Sequence, residues 1–167
     1  VRFEGETTVD LGVVNRRVLE LARAQSEDVA RHLAADGVQV LVGRGRLDGP
    51  HRVVADLASG GSEQLTADAV LIATGARPRV LAEAVPDGER ILSWTDVYGL
   101  PELPERLVVV GSGVTGAEFA GAYQAMGAQV TLVSSRDRVL PGEDADAAQV
   151  LEEVFARRGM TVLSRAR

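Results

Sequence analysis

The sequence contains no cysteine and no lysine, and all 18 of its basic residues are arginines. Without cysteine, these residues can form no disulfide framework, no thiolate nucleophile and no cysteine-ligated zinc site. Without lysine, they can supply no Schiff-base amine. The two histidines, His32 and His51, lie in polar surroundings, and we expect no metal site. No acid, base or nucleophile in the chain can be named as catalytic, so the catalytic residues stay unknown.

Long apolar runs and positive net charge are also missing. No run approaches the roughly 18 to 20 apolar residues that cross a bilayer, and the first residues show no signal-peptide pattern. We therefore expect no membrane span and a cytoplasmic location. The net charge of −6, with arginines scattered along the chain, argues against a nucleic-acid partner. A hydrophobic content of 46% over 167 residues is typical of one globular domain or parts of two.

The most informative stretch is a glycine motif that follows an apolar run. The apolar residues Leu107–Val110 lead into three glycines at G-x-G-x-x-G spacing. A helical pattern follows and stops at Gly127, and a second apolar run, Val130–Val133, comes next. Strand, glycine turn, helix and strand within about thirty residues are typical of a dinucleotide-binding βαβ unit. The motif is Gly111-Ser112-Gly113-Val114-Thr115-Gly116.

The need for glycine at each position of the motif has a physical explanation. Gly111 permits the tight turn, Gly113 has no Cβ to keep a pyrophosphate from the main chain, and Gly116 lets the helix pack close to the sheet. The free N–H groups at the helix start favour an anion. A glycine-rich turn without a ligand is the alternative, and the flanking strands and helix disfavour it.

The region before the motif predicts a helix and a set of short strands. An apolar stripe indicates a helix over Val13–Ala35, which Asp36 and Gly37 end. Three runs separated by turn residues predict an antiparallel meander. The expected strands are Val38–Val42, Arg52–Leu57 and a weak one at Glu63–Leu65. The continuous apolar run Ala69–Ala73 predicts a further strand, buried on both faces.

The remaining elements lie in a connector and beyond the βαβ unit. We expect a proline-interrupted connector with one short helix at Asp96–Gly99, a second long helix at Ala145–Arg158 and a third parallel strand at Met160–Leu163. The boundary between two domains is expected in the connector. A parallel sheet whose third strand lies at the very end of the chain would have an exposed edge, so we expect an internal piece of a longer polypeptide.

The order of these elements resembles the pyridine nucleotide-disulphide oxidoreductase family of flavoproteins. The most specific motifs are Val70–Pro78, Leu107–Glu118 and Arg138–Pro141. Within the family the chain is most similar to the lipoamide dehydrogenase branch, and especially to its NAD(P)H quinone reductase relatives. Pro86–Trp94 and Val110–Phe119 carry that narrower match.

The resemblance implies an α/β, FAD/NAD(P)-binding Rossmann-like fold with three layers (ββα). Residues 1–103 would be the second part of the FAD-binding domain plus the connector, and residues 104–167 an incomplete NAD(P)-binding βαβαβ unit. The family's redox cysteine pair would lie before Val1. The family's dimerisation domain would lie beyond Arg167, which implies a homodimer.

The resemblance also assigns roles to residues. It implies that Gly45 lies near the FAD adenine and that Thr74, Gly75 and Ala76 line the flavin. Glu118 matches a glutamate near the nicotinamide. Two alternatives stay open. Thr74-Gly75 can be a strand end closed by a permissive glycine, and Glu118 can be a carboxylate that the helix dipole stabilises.

The function that follows is an FAD-dependent oxidoreductase that passes a hydride from NAD(P)H to flavin and on to a small quinone or disulphide acceptor. One alternative is a dihydrolipoamide dehydrogenase that works with NAD. Another is a dinucleotide-binding module without redox turnover.

The choice between NAD and NADP depends on the end of the second strand of the βαβ unit. NAD-binding units carry an acid there that contacts the ribose 2′-OH, and the family's acid falls on Ser134. Ser135 follows, and Arg136 can meet a 2′-phosphate, although Asp137 can neutralise it. Gly116 is more typical of NAD-type motifs. We expect NADPH to be used at least as well as NADH.

Overall fold

The computed structural model describes residues 8–166, which divide into two compact units. One unit comprises residues 17–98, and the other comprises residues 99–166 together with residues 8–16. The domain division at residue 104 stays a prediction. Among the helices of residues 8–166, none combines the length and the apolar character needed to cross a membrane.

The first helix, α1, spans Leu11–Ala35 and confirms the helix predicted over Val13–Ala35. It begins after Asp10, whose side chain accepts a backbone N–H of the first turn at 2.9 Å. It ends as expected before Gly37, which adopts a φ of +72°. The apolar stripe lies along the helix but stays exposed within the described residues, with Val29 52% exposed.

Three strands form the predicted antiparallel meander. They are β1 (Gly43–Leu47), β2 (Arg52–Leu57) and β3 (Ser62–Thr66), in the sheet order β1-β2-β3. The second and third strands confirm the prediction. The predicted first strand, Val38–Val42, is wrong, because these residues precede β1 and form no strand.

The pairing register explains this error. Leu57, the last residue of β2, pairs with Gly43, so β2 offers no residue opposite Val38–Val42. The backbones approach so closely here that a Cβ on Gly43 would overlap the carbonyl oxygen of Asp56. The prediction chose Val38–Val42 as a strand because these residues are apolar. The strand forms instead at the polar, glycine-containing β1, because the hydrogen-bond partners on β2 lie opposite that segment.

The strand predicted at Ala69–Ala73 is also wrong. The segment has no regular structure, and Leu71 and Ile72 are 90% and 66% exposed. A strand requires a neighbouring strand for its N–H and C=O groups, and no strand of residues 8–166 pairs with this segment. Its apolar residues therefore have nothing to be buried against within the described residues.

The connector is ordered by two carboxylates. The predicted short helix is confirmed as a 3-10 helix at Asp96–Gly99. Asp96 accepts the hydroxyl of Ser93 at 2.6 Å and its N–H at 2.7 Å, and these bonds lower the pKa of Asp96. Asp87 accepts three successive N–H groups, those of residues 89–91, at 2.8 to 2.9 Å. These bonds, that of Glu89 first, lower the pKa of Asp87.

The second unit contains the predicted parallel βαβαβ unit. Its elements are β4 (Arg106–Val110), α2 (Val114–Met126), β5 (Gln129–Val133), α3 (Ala145–Arg157) and β6 (Thr161–Leu163). The strand order is β4-β5-β6, and all pairs are parallel. Gly127 ends α2 in the left-handed conformation, as expected. The strand and helix predictions for this part of the chain are confirmed.

One face of the parallel sheet is covered and the other is open. Val130 and Leu132 of β5 are 1% and 0% exposed, because they lie on the side of the helices. Helix α2 comes close through small residues such as Ala120, which is fully buried. On the opposite face, Val108 and Val110 of β4 are 63% and 71% exposed. The described residues therefore supply the sheet and one helical layer.

Helix α3 begins with a side-chain cap that can be tested. The Asp144 carboxylate accepts the N–H groups of Asp146 at 3.0 Å and Ala147 at 3.1 Å. We expect Asp144→Ala to lower the free energy of unfolding of this unit by about 1 kcal/mol, as for other N-caps. Asp144→Asn, which keeps an acceptor oxygen, is the matched control and should lose less. Hydrogen exchange at the two capped amides measures the effect, and equal exchange in both variants would contradict it.

Candidate functional site

The predicted glycine turn joins β4 to α2 and depends on two of its glycines. Gly111 adopts a φ of +113°, which side chains rarely tolerate. Its N–H donates to the Val133 carbonyl at 2.9 Å, so the turn is bonded to the end of β5. Gly116 lies in the first turn of α2, where a Cβ would overlap the carbonyl oxygen of Gly111. The turn itself therefore requires glycine at both positions.

Gly113 differs from the other two glycines. Its φ of −70° and ψ of −178° are accessible to any residue, and a Cβ placed on it would have no atom within 4 Å. Gly113 is the N-cap of α2, it makes no side-chain cap, and the first turn has no acidic residue. Val114 and Thr115 are exposed beside it. The start of α2 is therefore open beside Gly113, and the N–H groups of a helix start favour an anion such as a pyrophosphate.

The fold brings Ser112 of the glycine motif against Ser134 at the end of β5. Their Oγ atoms are 2.7 Å apart, with Ser112 donating. The two residues are 5% and 0% exposed. Ser134 was predicted at the position of the discriminating acid, and its hydroxyl lies inside the protein rather than at the surface. We call this contact the hydroxyl bridge.

The hydroxyl bridge extends into the segment of residues 135–141, which follows β5. The Ser134 hydroxyl donates to the carbonyl of Arg138 at 3.2 Å and accepts the N–H of Arg136 at 3.1 Å. The carbonyl of Ser112 accepts the N–H of Leu140 at 2.8 Å. Sequence reasoning noted Arg138–Pro141 as a family motif without giving it a role. Val139 of this motif is 0% exposed, so the segment is packed against the protein. The apolar pair Val139-Leu140 was the sequence signal for this packing.

Three charged or polar side chains of this segment stay at the surface. Ser135, Arg136 and Asp137 are exposed. Within residues 8–166, no ion pair engages Arg136 or Asp137. Among the described residues, Asp137 therefore forms no ion pair with the neighbouring guanidinium of Arg136.

Glu118 is exposed on α2 and is the fifth residue of that helix. Because the effect of the helix dipole fades beyond the first turn, the dipole is a weak reason for a carboxylate at this position. The role near the nicotinamide stays a prediction.

The residues predicted to line FAD lie in the unit of residues 17–98. Gly45 is in the middle of β1, opposite Ala55. Thr74, Gly75 and Ala76 are exposed in an irregular segment, and Gly75 has a φ of +74°. The positive φ explains why glycine occurs there, and it agrees equally with a chain turn and with the approach of a ligand. The FAD roles of these residues stay predictions.

An open cleft of about 490 Å³ lies elsewhere in the second unit. Arg138 and the α3 residues Gln149, Glu152 and Glu153 line it, and none of its lining residues belongs to the glycine turn. Its walls carry both signs of charge. Within residues 8–166, no group of three or more acidic or histidine side chains could hold a metal ion.

The sequence was compared with curated proteins. Over 168 aligned residues the chain is 51% identical to an NAD(P)H dehydrogenase (quinone) of Mycobacterium tuberculosis, covering 97% of this chain and 34% of that protein. It is 34% identical over 158 residues to a dihydrolipoyl dehydrogenase of Chlorobaculum tepidum, covering 95% of this chain and 34% of that enzyme. The chain thus spans about a third of the length of the curated relatives it matches.

The fold has a matching solved structure. The crystal structure of LpdA from Mycobacterium tuberculosis superimposes with a TM-score of 0.84 at 51% identity, covering 98% of this chain and 37% of LpdA. The Rossmann-like α/β fold that the family resemblance implies is thereby confirmed. Residues 4–167 match the family profile described as pyridine nucleotide-disulphide oxidoreductase. This chain belongs to the pyridine nucleotide-disulphide oxidoreductase family.

Proposed function

We propose that this chain binds the nicotinamide dinucleotide of an FAD-dependent oxidoreductase, which passes a hydride from NAD(P)H to flavin and on to a quinone or a disulphide. One observation carries the proposal. The start of α2 is open beside Gly113, where a Cβ would stand in the way of a pyrophosphate that the N–H groups of the helix start would bind. Family membership and the relatives' names support the same reading.

Each part of the chain has a role in this proposal. Residues 104–167 would form the first part of the NAD(P)-binding domain, with Gly111–Gly116 holding the pyrophosphate and Glu118 near the nicotinamide. Residues 1–103 would belong to the FAD-binding domain and connector, with Gly45 near the adenine and Thr74–Ala76 beside the flavin. When both cofactors are bound, the nicotinamide would supply the hydride and the flavin would accept it.

NADPH should be used at least as well as NADH. No carboxylate stands at the end of β5 to repel a 2′-phosphate, because Ser134 occupies that position. Arg136 is exposed, and no ion pair engages it within residues 8–166. Values of kcat/KM with the two cofactors decide the point, and a large excess for NADH would contradict it.

The electron acceptor distinguishes the two enzyme readings. The 51% identical relative is named a quinone dehydrogenase, which favours a quinone. A second relative is named a dihydrolipoyl dehydrogenase, and a disulphide acceptor is therefore the second candidate. We also propose that the enzyme is a cytoplasmic homodimer, as the family resemblance implies. Cell fractionation and the molar mass in solution test these two points.

The first experiment uses the full-length protein. A yellow protein with a flavin absorbance band that oxidises NADPH in the presence of a quinone is the expected result. Turnover with dihydrolipoamide and NAD, but not with a quinone, would favour the second candidate. A colourless protein that does not respond to added FAD would favour a dinucleotide-binding module without redox turnover.

The glycine motif offers a matched pair of substitutions. Gly113→Ala adds a Cβ in open space with an allowed backbone, so thermal stability and flavin content should not change. Its affinity for NADPH should fall more than tenfold, or by about 1.4 kcal/mol or more. Gly116→Ala should instead lower the melting temperature, because its Cβ overlaps the Gly111 carbonyl. Normal NADPH affinity in a stable Gly113→Ala protein would disprove the pyrophosphate site.

A further inference from the structure

The hydroxyl bridge joins two residues that are 22 positions apart and nearly inaccessible to solvent. Ser112 follows the first glycine of the motif, and Ser134 is the first residue after β5. Both therefore lie at the carboxyl ends of neighbouring parallel strands, which is the edge where dinucleotides bind in such sheets. Their hydroxyls nevertheless meet each other, with an Oγ to Oγ distance of 2.7 Å.

The hydrogen-bonding capacity of Ser134 is fully used inside the protein. A serine hydroxyl donates one hydrogen bond and accepts two. Ser134 donates to the Arg138 carbonyl at 3.2 Å, and it accepts from the Ser112 hydroxyl at 2.7 Å and from the Arg136 N–H at 3.1 Å. With 0% exposure as well, Ser134 has neither a free hydrogen-bonding site nor surface for a ribose.

The same bonds hold the backbone of Arg136. Its N–H is bonded to Ser134 at 3.1 Å, and its carbonyl accepts the N–H of Arg165 at 2.8 Å. The peptide groups on both sides of its Cα are therefore held while its side chain is exposed. A guanidinium on a restrained backbone loses less conformational freedom when it binds an anion.

We infer that the hydroxyl bridge is a positioning device for cofactor choice: Ser112 and Ser134 hold Arg136 where it receives the 2′-phosphate of NADPH, and Ser134 itself does not contact the nucleotide. The inference rests on the proposed function, because it requires a dinucleotide at the glycine turn. It assigns the selectivity for the 2′-phosphate to Arg136, two positions after the place where the acid of NAD-binding units stands.

The test measures binding of two nucleotides that differ by the 2′-phosphate, without any turnover. The full-length protein is titrated with NADP⁺ and with NAD⁺ in a calorimeter. The unmodified protein should prefer NADP⁺ by about tenfold or more, as expected for a charge-assisted hydrogen bond. Arg136→Gln should remove most of this preference and leave the affinity for NAD⁺ within about twofold.

The bridge variants distinguish positioning from direct contact. Ser112→Ala and Ser134→Ala should each weaken NADP⁺ by roughly three- to tenfold, and each should weaken NADP⁺ more than NAD⁺. The double variant should lose no more than Ser134→Ala alone, because that change already breaks the bridge. In the Arg136→Gln background, Ser134→Ala should have no further effect. Ser26→Ala, an exposed serine on α1, is the matched control and should bind both nucleotides normally.

Each contrary outcome identifies what is wrong. If the unmodified protein binds neither nucleotide, the proposed function fails, and the inference with it. If it binds both equally, or if Arg136→Gln keeps the preference, the nucleotide site stands and the inference fails. An additive loss from Ser134→Ala in the Arg136→Gln background would mean direct contact with Ser134. If Ser134→Ala folds poorly, Ser112→Ala reports on the same bridge.

Discussion

The close approach of α2 to the end of β4 is the constraint on which the second unit depends. The backbone of Gly116 packs against the Gly111 carbonyl so tightly that no Cβ fits between them. This contact brings α2 down onto the sheet, where its alanines cover Val130 and Leu132. The packing of the core of this unit therefore depends on glycine at position 116.

The three glycines of the motif consequently differ in what they say about a ligand. Gly111 and Gly116 are required by the conformation of the turn whether or not a ligand is present, whereas Gly113 is required by nothing within the described structure. Only Gly113 therefore points to a ligand. Gly116 also carries little information on cofactor choice. The sequence pattern placed it among NAD-type motifs, but in this structure the Gly111 carbonyl by itself excludes a Cβ there.

Local patterns predicted the parallel unit well because its strands and helices are neighbours in sequence. Each strand of β4, β5 and β6 pairs with the next one along the chain, and the helices between them carry the partner surface. The same reasoning failed at Val38–Val42 and Ala69–Ala73, where apolar content was high but no described strand offers a partner. Strand formation depends on pairing, which an apolar run does not encode. The hydroxyl bridge was invisible for a related reason, since Ser112 and Ser134 meet only through the register of two strands.

The surroundings of Ser134 also bear on why this position carries no acid. The Arg138 carbonyl lies 3.2 Å from the Ser134 hydroxyl, where only a donor is favourable. A carboxylate on an aspartate at this place could accept from the Ser112 hydroxyl and the Arg136 N–H, but it would face the Arg138 carbonyl as acceptor against acceptor, in a fully buried position where a charge is costly. The fold of residues 135–141 therefore selects a hydroxyl at position 134. A change toward the NAD-type arrangement would require this segment to move as well, because the carbonyl that faces position 134 belongs to its backbone.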